Sequence, residues 1–226
     1  GTFTSTNQNI SLTANAPGTY YLHVLTVDNA GNARESKSGA ITIKQLVTSV
    51  GLNKTSTTLN TGATEKLTVT VGPSNASNKN INWSTSNATI ATVSAGTITA
   101  KAPGTATITA TAADGSGKKA TCTVTVRQLV TSVALNKTAT TLNINATETL
   151  TVTVNPSNAS NKTINWTTSN SSIATVSAGK ITAKAPGTAT ITATAADGSG
   201  KKASCTVTVR KPGNPDSNGI FTSNST

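Results

Sequence analysis

The chain has 226 residues, 18 Lys plus Arg against 7 acids, and a formal net charge of +11; charged residues make up 11% and aromatics 3%. That length holds one large domain or two to three small ones. Scarcity of long helix formers excludes a helical protein, and the surplus of Thr and Val favours strands with small cores of Val, Ile, Leu and Ala. No apolar run approaches the ~18 residues of a bilayer-spanning helix, so no membrane span is expected. The cations stand singly in turns apart from Lys118–Lys119 and Lys201–Lys202. Without interleaved aromatics they do not form a nucleic-acid platform, and no nucleic acid is expected as partner. Such a surplus does attract anionic polymers. The sequence starts at Gly1 and has no Met, the expectation for a processed, truncated or internal piece whose signal or anchor lies outside it.

Residues 1–44 come first. Ile10–Thr13, Tyr20–Val27 and Ala40–Ile43 read as strands, with Ala16-Pro17-Gly18-Thr19 leading into the second and Asp28-Asn29-Ala30-Gly31-Asn32 as the turn that follows it. Three strands cannot close a sandwich, so this piece is expected to be a partial immunoglobulin-like or fibronectin-like domain. Asp28, Asn29 and Asn32 place several oxygens in one turn, a pattern shared by weak calcium sites and plain hairpin turns.

Residues 45–127 and 128–210 are two copies of one 83-residue unit, aligned without a gap and differing at 12 positions, Gly62/Asn145, Lys66/Thr149 and Thr97/Lys180 among them. A unit of that size folds as a domain, whereas solenoid units are shorter and cannot fold alone. Its dominant period is two. Leu67–Val71, Thr105–Ala112 and Thr121–Val126 alternate apolar residues with Thr, the pattern of half-buried strands. Shorter strands are expected at Val47–Leu52, Ile81–Ser84, Ile90–Val93 and Thr97–Lys101, separated by Pro- and Gly-bearing turns. About seven short strands with regular turns predict an all-β fold of tandem immunoglobulin-like antiparallel β-sandwiches, with the incomplete β piece ahead of them.

The runs Ile81-Asn82-Trp83-Ser84, Ile90-Ala91-Thr92-Val93-Ser94, Gly96-Thr97-Ile98-Thr99-Ala100, Gly104-Thr105-Ala106-Thr107-Ile108-Thr109-Ala110 and Cys122-Thr123-Val124-Thr125-Val126, repeated 83 residues later, resemble the bacterial immunoglobulin-like group 2 family. The resemblance covers both repeats. It implies modules of intimin- and invasin-type adhesins, surface-layer and wall proteins, extracellular glycosidases or phage virion proteins, and it implies no catalytic residues.

Trp83 and Trp166 sit on central strands, where a lone Trp plugs a sandwich core; a sugar platform would want several exposed aromatics together. Cys122 and Cys205, one per repeat, share strand parity with Val124 and Val207 and read as buried thiols acting as small hydrophobes. His23 is the only histidine, and each repeat has two acids, Glu65 with Asp114 and Glu148 with Asp197. Neither a catalytic constellation nor a histidine-based metal site is expected, and no cofactor. Asp114 and Asp197 precede Gly, where turn formation accounts for them.

Residues 211–226 form a Pro/Gly/Asn linker ending in Gly219-Ile220-Phe221-Thr222-Ser223, an echo of Gly1-Thr2-Phe3-Thr4-Ser5. Ile220 and Phe221 are read as a strand-exchange tail that joins copies into a fibre, or as an ordinary tail or the first strand of a further domain. The junction Val126-Arg127-Gln128-Leu129-Val130 holds no hinge residue. The whole reads as a structural or adhesive spacer of a secreted or surface-anchored bacterial protein. Its partners are neighbouring domains, copies of itself, and anionic cell-wall polymer or glycan, the last making a binding module one alternative; an accessory segment of an extracellular glycosidase or phage virion protein is the other.

Overall fold

The structure, a computed structural model, describes residues 16–213. The strand expected at Ile10–Thr13 and the exchange tail at Ile220 and Phe221 lie outside the described residues. Four short strands come first: β1 (Gly18–Tyr20), β2 (His23–Val27), β3 (Ala33–Lys37) and β4 (Ile41–Ile43). The strand expected over Tyr20–Val27 is interrupted at Tyr21–Leu22. There the hairpin changes register by one residue, from Tyr20 opposite Ile41 to His23 opposite Lys37.

The first repeat carries nine strands: β5 (Ser49–Leu52), β6 (Ser56–Asn60), β7 (Thr64–Lys66), β8 (Val69–Gly72), β9 (Ile81–Thr85), β10 (Ala91–Ser94), β11 (Thr97–Ala100), β12 (Gly104–Ala112) and β13 (Lys119–Arg127). The same nine recur in the second as β14 (Ser132–Leu135), β15 (Ala139–Asn143), β16 (Thr147–Thr149), β17 (Val152–Asn155), β18 (Ile164–Thr168), β19 (Ala174–Ser177), β20 (Lys180–Ala183), β21 (Gly187–Ala195) and β22 (Lys202–Arg210). In the first repeat they pair as β6-β13-β12-β9, β10-β11-β7 and β5-β8, and the second repeats this order. The fold is all-β. Pairing is antiparallel with one exception in each repeat: β6 runs parallel to β13, and β15 to β22. The reason is topological, because the chain enters β6 and leaves along β13 in one direction and the rest of the repeat supplies the long crossover a parallel pair needs.

Alternation places the core. On β12, Ala106, Ile108, Ala110 and Ala112 are buried, as are Cys122, Val124 and Val126 on β13. Facing pairs match large to small: Gly104 with Val126, Ala106 with Val124, Ile108 with Cys122. The intervening Thr residues take the outer face, so each strand buries one side and wets the other. Each repeat holds one larger cluster, around Ile108 or Ile191, and a smaller one of Val47, Ala76 and Ala112 or of Val130, Ala159 and Ala195. No cluster mixes the two repeats.

None of the 12 differing positions is buried in either copy. Two of them face each other: Lys66 opposite Thr97 becomes Thr149 opposite Lys180. One lysine is thus kept at that rung and two like charges never meet. Gly62 (φ 85) gives way to Asn145 (φ 70), the residue best able to replace glycine in the left-handed region. Gly96 (φ 81) is required twice over, since an added Cβ would stand 2.8 Å from the Leu67 carbonyl oxygen and 3.0 Å from the Trp83 ring.

Candidate functional site

The junction between the repeats is built from one peptide group. At its Arg127 end β13 is still inside the first repeat, and the Arg127 carbonyl accepts the Thr61 N–H at 2.9 Å and the Thr61 hydroxyl at 3.2 Å. At its Gln128 end the chain is already inside the second repeat. The Gln128 N–H donates to Ser160 Oγ at 2.9 Å, and the Ser160 N–H donates back to the Gln128 carbonyl at 2.8 Å. The oxygen and the N–H of a single planar unit are therefore held by different repeats, with no free residue between them. The first repeat opens the same way, Gln45 exchanging hydrogen bonds with Ser77, and the second closes the same way, the Arg210 carbonyl accepting the Ile144 N–H at 3.0 Å. A cleft of about 370 Å³ lies beside the junction, lined by Arg127, Gln128, Leu129, Ser160, Asn161 and Asp197.

Asp197 does more than shape its own turn. One carboxylate oxygen accepts the Ser199 N–H at 2.9 Å, and the other accepts the Val130 N–H, 67 residues earlier, at 2.5 Å. Asp114 bonds Ser116 and Val47 in the same manner. These carboxylates fasten the β12–β13 and β21–β22 hairpin tips to the opening segment of their repeats, so the turn reading of Asp114 and Asp197 was incomplete. The Ser116 side chain and the Val47 N–H hold the Asp114 carboxyl below its ordinary range. Burial works against ionisation of Asp197, but Ser199 and Val130 outweigh it and its pKa is also lowered.

The remaining acid of each repeat is similarly engaged. Glu65 pairs with Lys54 and Glu148 with Lys137, and in both cases the lysine, followed by Thr57 or Thr140, lowers the carboxyl pKa. Cys122 and Cys205 are fully buried free thiols within the larger clusters. Burial first, and then the charge of Glu65 or Glu148, pushes their pKa up, which keeps them protonated and weakly nucleophilic. Trp83 and Trp166 are half-buried against the same clusters, each over the glycine of the β10–β11 or β19–β20 turn.

In the N-terminal piece, Asp28 accepts the N–H groups of Ala30 and Asn32 and the Asn32 side-chain amide at 2.8–2.9 Å. Asn32 thus turns a donor, not an oxygen, toward Asp28, and these bonds lower the Asp28 pKa, the Asn32 side chain first. Asn29 makes no side-chain hydrogen bond to this group among the described residues. His23 Nδ1 meets Glu35 Oε1 at 2.5 Å on the exposed face of the β2–β3 pair. Sequence reasoning missed the serine and aspartate anchors, whose partners lie 32 and 67 residues away without a local signal.

Two self-contained, all-β sandwiches joined by a shared peptide define a tandem immunoglobulin-like chain. It belongs to the bacterial Ig-like domain (group 2) family, whose pattern matches residues 46–124 and 129–207. An uncharacterised protein of Clostridium acetobutylicum is 48% identical over 60 residues, 26% of this chain and 6% of that protein, so the chain spans a small fraction of the relative's length. Among solved structures, the S-layer protein SbsC is similar at 17% identity and a TM-score of 0.36, over 92% of this chain and 39% of that one. The C-terminal fragment of intimin, in complex with the translocated intimin receptor, is similar at 19% identity and a TM-score of 0.39, over 74% of this chain and 65% of that one.

Proposed function

We propose that the chain is a non-catalytic, extracellular spacer segment of a bacterial surface protein, its task being to set length and direction. The observation that carries this reading is the shared Arg127–Gln128 peptide, whose oxygen is held by the first repeat and whose N–H by the second. With its plane fixed and both ends hydrogen bonded, little torsional freedom remains to bend the chain there. Membership in a bacterial immunoglobulin-like family and an interchangeable core in both repeats support a unit used for its dimensions. Amide ¹⁵N relaxation tests it: residues 49–210 should tumble as one elongated body, and a six-residue Gly/Ser insert between Arg127 and Gln128 should uncouple the repeats. Independent tumbling in the uninterrupted chain would overturn the proposal.

A second reading, retention on anionic cell-wall polymer or glycan, is favoured by charge. Each repeat carries seven cations and two acids, a surplus of five, and all four acids are engaged internally. Lys79 flanks the Asn80–Ala113 contact while Lys118 precedes β13 and Lys119 opens it, so three of the cations share one end of the repeat. Salt-sensitive retention on purified cell walls supports this reading, and absence of retention at low salt refutes it.

A further inference from the structure

Seven large apolar side chains are exposed among the described residues, six from the β1–β4 piece and Leu46 at the opening of the first repeat. The piece itself explains them. Leu12-Thr13-Ala14-Asn15-Ala16-Pro17-Gly18-Thr19 matches Ile98-Thr99-Ala100-Lys101-Ala102-Pro103-Gly104-Thr105 at six of eight positions, although the family pattern covers only residues 46–124 and 129–207. The likeness continues in the hairpin that follows. Gly18 pairs with Ile43 as Gly104 pairs with Val126, and Tyr20 with Ile41 as Ala106 with Val124. Asp28 follows Gly18 by ten residues, as Asp114 follows Gly104. Gly31 and Gly117, each three residues after that aspartate, both have positive φ (86 and 71). A basic residue and Gln-Leu-Val-Thr-Ser-Val then begin the next repeat in both places, at Lys44 and at Arg127. The piece has three more residues between its aspartate and its last pair: the interruption at Tyr21–Leu22 opposite Ser38–Ala40 takes up one, and the register at the hairpin end, Val27 opposite Ala33 against Thr111 opposite Lys119, takes up the other two.

We infer that residues 12–44 are the closing part of a third sandwich of the same design, and that the apolar face of its hairpin is the docking surface for the segment around Leu12. The positions decide the face. Ala106, Val124 and Val126 are 1%, 0% and 2% exposed under the opposite sheet of their repeat, whereas Tyr20, Ile41 and Ile43, at the same register positions, are 39%, 44% and 37% exposed. In the repeats, Ile98 belongs to the same buried cluster as Ala106, Val124 and Val126, and β11, which carries it, lies in the other sheet. Leu12 is the residue that the eight-position match sets at Ile98. The inference is independent of what the array does; it concerns how many sandwiches the array contains.

The test uses the full 226-residue chain. Methyl NOE spectra should connect Leu12 with Ile41 or Ile43, and oxidation of a Leu12→Cys, Ile41→Cys pair should close a disulfide within one chain, read as a monomer on a non-reducing gel. A bond joining two chains, with NOEs present only in a mixed-label sample, would overturn the assignment in favour of a second copy as the occupant. Absence of both the NOEs in the unaltered chain and the disulfide in the variant would overturn it outright.

Discussion

Replacing Ile108 by Ala, or its counterpart Ile191, tests whether the two repeats are energetically independent copies. Each side chain is 0% exposed and faces a buried cysteine, Cys122 or Cys205, across the central hairpin. An Ile→Ala truncation in such a site costs about 2–5 kcal/mol. The small neighbours Ala106, Ala110 and Cys122 cannot move in to fill the space without giving up the ladder, which sets the expectation near 4 kcal/mol. For a unit of this size, 1 kcal/mol lowers Tm by about 4–8 °C, so the altered repeat should melt roughly 15–30 °C early. Because no differing position is buried in either copy, I108A and I191A should lose the same stability to within about 0.5 kcal/mol. Calorimetry should resolve a shifted transition and an unshifted one of similar enthalpy in each variant. A single transition moving as a whole, or two variants differing by more than about 1.5 kcal/mol, would refute the reasoning.

Ala95 and Ala178 hold positive φ (45 and 47) as the first residues of two-residue hairpin turns ahead of Gly96 and Gly179. Replacing either by Asn should stabilise its repeat by about 0.5–1 kcal/mol, measured by urea denaturation with an unchanged m-value. Acid should destabilise both repeats. Glu65, Asp114, Glu148 and Asp197 all have folded-state pKa values below the ordinary ones, 4.5 for Glu and 3.8 for Asp. Their stabilising contribution is therefore complete above those values and is lost as pH falls through the lowered ones. Tm should stay level from about pH 8 to about pH 5.5 and fall below about pH 4, and a Tm that rises on acidification would contradict the assigned anchors.

The paired β12 and β13 strands and their buried face were legible because period-two alternation is a local property, and nine-residue runs such as Gly104–Ala112 state it repeatedly. β6 was not legible. Ser56-Thr57-Thr58-Leu59-Asn60 has one large apolar residue, and its strand character comes from a parallel partner more than sixty residues away. β7 is equally silent, since Thr64-Glu65-Lys66 is held by pairing with β11 and not by its own propensity. The same distance hid the site. Thr61 and Ser160 carry no signal that they grip opposite ends of one peptide, and the Asp–Gly turns at Asp114 and Asp197 advertise the local role while concealing the long-range one.

The parallel pairing of β6 with β13 has a mechanical consequence. A pull along the chain enters a repeat through β5 and the start of β6, and leaves it through the end of β13. Since the two strands run side by side in one direction, from Ser56 beside Thr123 to Asn60 beside Arg127, the opposed loads act at opposite ends of the pair. The five rungs are then sheared together instead of being unzipped one by one, and the second repeat presents the same shear clamp between Ala139 and Arg210.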